Sequence, residues 1–191
     1  DAIACEDTRT TSKLLAKHDI RKPLLAYYGR SGEGILGRLK RGESVALVSE
    51  SGTPGISDPG ADLVAAAHEA KIPVRAIPGA WALAAAASVS GFSKDELLFA
   101  GFLPKKPGKR RKALQALVAE DRTVVIYESP HRVADTLADM LTTLGDRPLL
   151  IARELTKIHE EATRTTVAAA AQRFTQEEPR GEFVLVVAPP P

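Results

Sequence analysis

The chain is poor in sulfur and in aromatic rings. Cys5 is its only cysteine among 191 residues, which excludes an intramolecular disulfide and fits a reducing compartment. Long apolar runs are also missing. Nothing approaches the ~18 residues of a membrane span, and no charged start leads into the apolar stretch of a signal peptide. The expected protein is therefore cytoplasmic, with no membrane attachment. Four histidines, His18, His68, His131 and His159, stand far apart, and His159-Glu160-Glu161-Ala162-Thr163 lacks the second His of a zinc-binding helix, so no metal site is expected. An initiating Met is absent too: the chain begins at Asp1, and a preceding segment is expected.

What is present is an ordinary globular balance. Hydrophobic residues make up 44% and charged residues 26%, which disfavours disordered and fibrous chains, and the length allows one domain or two small ones. The net charge of +2 conceals an uneven distribution. Residues 105–112 read Lys-Lys-Pro-Gly-Lys-Arg-Arg-Lys, with no acid. Such a local excess is the compositional signal for a polyanionic partner.

Short β-branched or aliphatic runs alternate with Ala/Leu-rich helical stretches, the pattern of an α/β protein. Strands are expected at Val45–Val48, Val74–Ile77, Leu97–Phe102, Thr123–Glu128, Leu149–Glu154 and Phe183–Val187. Asp58-Pro59-Gly60 reads as a capping carboxylate and a Pro at the first helical position, opening a helix through Ala61–Ala70. Ser129-Pro130 repeats the device before a helix ending near Gly145. Composition changes near Gly91-Phe92-Ser93-Lys94-Asp95, which divides the chain into domains 1–94 and 95–191. Pro189-Pro190-Pro191 reads as the start of a linker or tail.

Two motifs are set aside. Gly32-Glu33-Gly34-Ile35-Leu36-Gly37 matches G-x-G-x-x-G, but Ile35, Leu36 and Leu39 have helical spacing after a possible Ser31 cap, whereas a dinucleotide fingerprint needs its glycines in a strand-to-helix turn. A nucleophilic serine turn requires Gly two residues before the Ser, and Ser49 occupies that place before Ser51.

The segment from Ser49 to Gly60 is the centre of the expected ligand site. Val45–Val48 runs into a loop of small residues, turn-formers and acids, and ligands of open α/β sheets bind at the carboxyl ends of strands. Glycines let a ligand approach the backbone, while Glu50 or Thr53 can fix its polar groups; a connection shaped only for turning fits the spacing equally well. Val74–Ile77 leads likewise into Pro78-Gly79-Ala80-Trp81-Ala82. Trp81 can cover a flat ring, although its place beside an Ala-rich helix favours packing.

Taken in order, Glu6-Asp7-Thr8-Arg9, Ser51-Gly52-Thr53-Pro54 with Asp58-Pro59-Gly60, Pro78-Gly79, Gly101-Phe102-Leu103-Pro104, Tyr127-Glu128-Ser129-Pro130-His131-Arg132, Ala152-Arg153-Glu154-Leu155-Thr156-Lys157 and Gly181-Glu182 make the chain resemble the RsmI-type ribosomal RNA methyltransferases of the tetrapyrrole methylase superfamily. The resemblance implies two α/β domains with a cofactor cleft between them. It implies S-adenosylmethionine as methyl donor, a cytidine ribose 2′-hydroxyl of small-subunit (16S) ribosomal RNA as acceptor, the small ribosomal subunit as partner, and a homodimer. The cofactor residues it implies are Glu50, Ser51, Gly52, Thr53 and Pro54, then Pro78, Gly79, Ala80, Trp81 and Ala82, with Tyr127 from the second domain. Family members usually begin with a strand and a Pro-x-Gly-Asn loop, which are expected to be missing here. They also usually carry Asp where this chain has the longer Glu50. A tetrapyrrole or other small-molecule methyltransferase, or a noncatalytic RNA-binding assembly factor, are the alternatives.

The sulfonium of such a donor already activates its methyl group, so alignment for in-line attack is the main task, helped by a base near the hydroxyl. Glu6, Asp7 and Glu128 are the expected catalytic candidates, with His131 and Glu154 behind them. Glu6-Asp7-Thr8-Arg9 can equally be a helix cap with local ion pairs. Arg9 and Arg132 have the guanidinium fork that matches phosphate oxygens, though each can pair with a nearby acid instead. Lys109, Arg110, Arg111 and Lys112 stand where a helix begins and oppose its dipole, which points to an external anion such as the RNA backbone.

Overall fold

The computed structural model describes residues 1–29, 32–92 and 96–190. They form two compact units, Asp1–Trp81 and Ala82–Pro191. The boundary expected at 94/95 falls outside the described residues. The units divide earlier than that because helix α4 (Ala82–Ser90) packs on the second unit's sheet.

The first unit runs β1 (Ala2–Cys5), α1 (Thr8–Lys17), β2 (Leu24–Ala26), α2 (Glu33–Lys40), β3 (Val45–Val48) and α3 (Ala61–Glu69). Its three strands are parallel in the order β2-β1-β3. β1 is buried along its whole length, and Ala4 sits between Leu25 and Leu47. Ala4, Tyr27, Ile35 and Leu63 form the core beneath it. The chain therefore leaves β1 to one side for β2 and returns to the other for β3. That reversal is a topological switch point, the place where the carboxyl ends of neighbouring strands open a crevice.

The second unit adds β4 (Leu97–Phe102), α5 (Pro107–Gln115), β5 (Thr123–Glu128), α6 (Val133–Leu144), β6 (Pro148–Arg153), β7 (Glu161–Thr166), α7 (Val167–Gln176) and β8 (Phe183–Val187) to α4. Its mixed sheet has the order β4-β5-β8-β6-β7, with only β4 and β5 parallel. Val124, Ile126, Leu149, Ile151, Leu185 and Val187 line one face of its core, which Leu137, Met140 and Phe174 help to fill. The mixed α/β fold class matches the expectation.

Several local readings are corrected. Val74–Ile77 pairs with no strand among the described residues, and its apolar side chains are exposed, Ile77 by 83%. An extended apolar run without a ladder partner is not a strand. Helix α3 has Gly60, not Asp58, at its N-cap, and no side chain caps it. The glycine match at 32–37 does lie on a helix: Gly32 is the N-cap of α2, and Gly34 and Gly37 are inside it. The cap expected from Ser31 lies outside the described residues.

Candidate functional site

At the carboxyl end of β1 stands Glu6, and at the end of β3 begins the loop 49–60. The loop is built from turns. Ser49 Oγ donates to Ser51 O at 3.2 Å, the Ile56 amide to Thr53 O at 3.3 Å and the Gly55 amide to Pro59 O at 3.3 Å. Gly60 has φ 152°, and a Cβ on it would lie 2.9 Å from Gly55 N and 3.0 Å from Leu47 Cδ2. Only glycine lets the loop close on itself there.

The loop also reaches the segment 78–81. Thr53 Oγ1 donates to Ala80 O at 3.3 Å, and Gly52, at φ 69°, would carry its Cβ 3.9 Å from the same carbonyl. Two of the expected cofactor segments, 50–54 and 78–80, are thus brought side by side. Glu50, Ser51, Gly52, Pro78, Gly79 and Ala80 are all exposed, and Trp81 is half-buried.

Glu6 is the electrostatic centre of these strand-end segments. Burial pushes its carboxyl above the usual range, the nearby Asp58 and Glu50 carboxylates push the same way, and a hydrogen bond from the Glu50 backbone only partly opposes them. Its Oε1 is buried and accepts no hydrogen bond among the described residues. A buried carboxylate oxygen without a donor is costly in isolation and marks a place where a cation or a donor group is welcome. Asp58, read from the sequence as a helix cap, belongs to this acidic group. The signal that could have found it is the acid so close behind a glycine-rich strand-end loop.

The other candidate bases are committed elsewhere. Asp7 caps α1, accepting from the Arg9 amide at 2.8 Å, and the Arg9 side chain holds its carboxyl down at about 2. Its carboxyl is thus committed to the helix cap and to Arg9. Glu128 has no exposed side-chain surface: its oxygens accept from the Ser129 amide at 2.8 Å and Thr136 Oγ1 at 2.7 Å, and Arg132 pairs with it at 3.1 Å. Glu154 accepts from Lys157 Nζ and the Glu182 amide, both at 2.9 Å, and these donors hold its carboxyl below the usual range. His131 is exposed.

The cations divide in the same way. Arg110 is 4% exposed and bound to Asp139 at 2.6 Å, so it is a packing residue rather than a free phosphate contact. Arg132 donates to Leu103 O at 2.7 Å as well as pairing with Glu128, and it too faces inward. Lys105, Lys106, Lys109 and Lys112 remain exposed around α5, whose N-cap is Lys106 and whose first turn has no acid, while the exposed Arg111 pairs with Asp139 at 3.3 Å. Arg9 is 87% exposed beside Asp7. Tyr127 lies in the second unit, where its hydroxyl accepts from the Leu83 amide at 3.0 Å and caps the start of α4.

Comparison with known proteins places the chain in a family. Residues 1–171 match the family model of Tetrapyrrole (Corrin/Porphyrin) Methylases, which defines the class. The structure is similar to a uroporphyrin-III C-methyl transferase from Thermus thermophilus complexed with S-adenyl homocysteine, with a TM-score of 0.61 at 17% identity over 98% of this chain and 84% of that one. Among sequences, the chain is 49% identical to a ribosomal RNA small subunit methyltransferase I of Synechocystis over 98% of its own length and 69% of the relative's. It is 45% identical to the protein of that name in Thermotoga maritima, over 98% and 86%. The chain belongs to the tetrapyrrole methylases and, within them, to the ribosomal RNA small subunit methyltransferase I family.

Proposed function

We propose that the chain transfers a methyl group from S-adenosylmethionine to the ribose 2′-hydroxyl of a cytidine in small-subunit ribosomal RNA. The observation that carries the donor half of this reading is the group of acids gathered at the strand ends beside the switch point and its glycine-rich loop, among them Glu6 with its buried, partnerless Oε1. The donor is a sulfonium cation carrying an ammonium group, and three carboxylates, Glu6, Glu50 and Asp58, suit it. When bound, it supplies an electrophilic methyl carbon.

The chain's own residues have a limited list of tasks. Backbone groups of 50–54 and 78–80 hold and orient, since Gly52 offers no side chain to obstruct approach. Glu6, more basic than an ordinary carboxylate, is the group suited to accept the proton of the attacking hydroxyl. The exposed cations around α5, Lys109 and Lys112 among them, together with Arg9, hold RNA phosphates. A cytoplasmic homodimer completes the reading. The family relationship supports these assignments, and among the described residues no helix is long and apolar enough to cross a membrane.

The test is incubation of the full-length protein with methyl-labelled donor and isolated small ribosomal subunits, followed by nucleoside analysis. Label on the 2′-oxygen of one cytidine is the expected result. A folded protein that binds the donor yet leaves the RNA unlabelled would overturn the assignment of acceptor. The dimer is checked by light scattering.

A further inference from the structure

We propose that Phe102 is a stacking platform for an unpaired nucleobase, an inference that rests on the RNA-methylating reading above. β4 is an edge strand, and its register against β5 shifts between Phe99 and Gly101, where φ is 60°. A bulge of this kind turns the end of a strand and re-aims its side chains. Phe102 is left 56% exposed, whereas the next residue, Leu103, is 4% exposed.

The ring stands on a fixed support. Tyr127 meets it edge to face at 5.7 Å between centroids and 71° between planes, and Tyr127 itself packs on Phe99 at 4.9 Å. Behind the backbone, Arg132 grips Leu103 O and is itself paired with the buried Glu128. The buried ion pair therefore has a purpose that catalysis does not require: it clamps the segment that presents Phe102. A ring ordered in advance loses little freedom when a ligand stacks on it.

The surroundings identify the occupant. Exposed Lys105, Lys106, Lys109, Arg111 and Lys112 follow within ten residues of Phe102. A supported, exposed aromatic followed closely in the chain by a run of cations is a combination suited to single-stranded nucleic acid, the ring taking a base face and the cations the backbone. An apolar protein partner is opposed by the same lysines, which are depleted from protein interfaces. Paired RNA hides its base faces, so the ligand is an unpaired segment.

The experiment measures binding of a short, unstructured single-stranded RNA to the full-length protein by fluorescence anisotropy over a series of salt concentrations. Phe102→Ala is expected to weaken binding roughly ten-fold, and Phe102→Leu by a similar factor, with the salt dependence unchanged. Phe102→Trp is expected to restore wild-type affinity. Lys109→Ala, in contrast, should lower the salt slope by about one unit or less. Thermal unfolding midpoints of the Phe102 variants within a few degrees of wild type, roughly what a 1 kcal/mol change moves, show that the fold is kept. Wild-type affinity in the Ala and Leu variants, with RNA bound normally by the wild type, overturns the stacking role and leaves the methyltransferase reading standing. No binding of this RNA by the wild type overturns the stacking role alone, since the acceptor reading is decided by labelling of the small ribosomal subunit.

Discussion

Truncating Glu128 should damage the fold far more than its surface neighbours suggest. Its carboxylate has no exposed surface and receives three donors: the Ser129 amide, Thr136 Oγ1 and the Arg132 guanidinium. Glu128→Ala leaves Arg132, only 19% exposed, without its counter-charge, and leaves the fully buried Thr136 hydroxyl without its acceptor. Removing one partner of a buried pair costs about 3–5 kcal/mol. That is a large part of the roughly 5–15 kcal/mol that holds a typical domain together. Glu128→Gln keeps the volume and one acceptor, so a loss of about 1–3 kcal/mol is expected. Replacing both members, Glu128→Leu with Arg132→Met, removes the uncompensated charge and should recover most of the loss. Urea denaturation followed by circular dichroism measures all three. A loss under about 1 kcal/mol in the Ala variant, or a double variant no better than the single one, would refute the clamp. A Gln variant of undiminished stability that cannot methylate would instead make Glu128 a base, against its geometry.

Three further outcomes are expected from neighbouring contacts. Glu6 is held above the usual carboxyl range, so the folded state binds its proton more tightly than the unfolded chain, and its charge costs stability as pH rises from the ordinary 4.5. Glu6→Gln should therefore stabilise the protein at about pH 8 but not at about pH 4, while lowering the rate of methyl transfer roughly 10²–10⁴-fold if Glu6 acts as the base; denaturation at the two pH values and a labelled-donor assay separate the effects. Glu161 is held at about 2 by Arg173, with Thr163 and Arg153 assisting, so its contribution is complete above 4.5 and fades as pH falls toward 2; Arg173→Met should remove on the order of 2–3 kcal/mol at neutral pH and flatten the acid limb of the stability profile. Gly60→Ala places a methyl 2.9 Å from Gly55 N and should cost about 1–3 kcal/mol, with weaker donor binding by calorimetry because loop 49–60 can no longer close.

How much of this was legible in the sequence depended on how much each residue's environment is set by its immediate neighbours. Thr123–Glu128, Phe183–Val187 and Val45–Val48 were readable because β-branched runs bounded by turns have few other uses. β1 escaped because Ala-Ile-Ala-Cys is four small or middling side chains with no turn before it. β7 escaped because an edge strand reading Glu-Ala-Thr-Arg-Thr-Thr shows no apolar alternation. Arg110 was misread among five other cations, yet its spacing held the answer: it stands four residues before the fully buried Leu114, on the same helical face. Glu128 and Arg132 were recognisable as notable but not as partners. Whether a carboxylate meets a ligand or a neighbouring guanidinium depends on a turn geometry that sequence does not print.

The near-neutral chain hides two opposite local fields, and these suit two substrates of opposite charge. In the first unit Glu6, Glu50 and Asp58 gather at the strand ends; in the second, exposed lysines and arginines gather around α5. On the proposed reading, the acids of the first unit suit a sulfonium cation and the exposed lysines of the second suit a phosphate chain. On the same reading, transfer of the methyl group leaves the donor's sulfur uncharged, so these acids would attract the product less than fresh donor. The carboxyl of Glu6 is raised first by its burial and then by the neighbouring Asp58 and Glu50 carboxylates, so gathering these acids at the strand ends is itself costly.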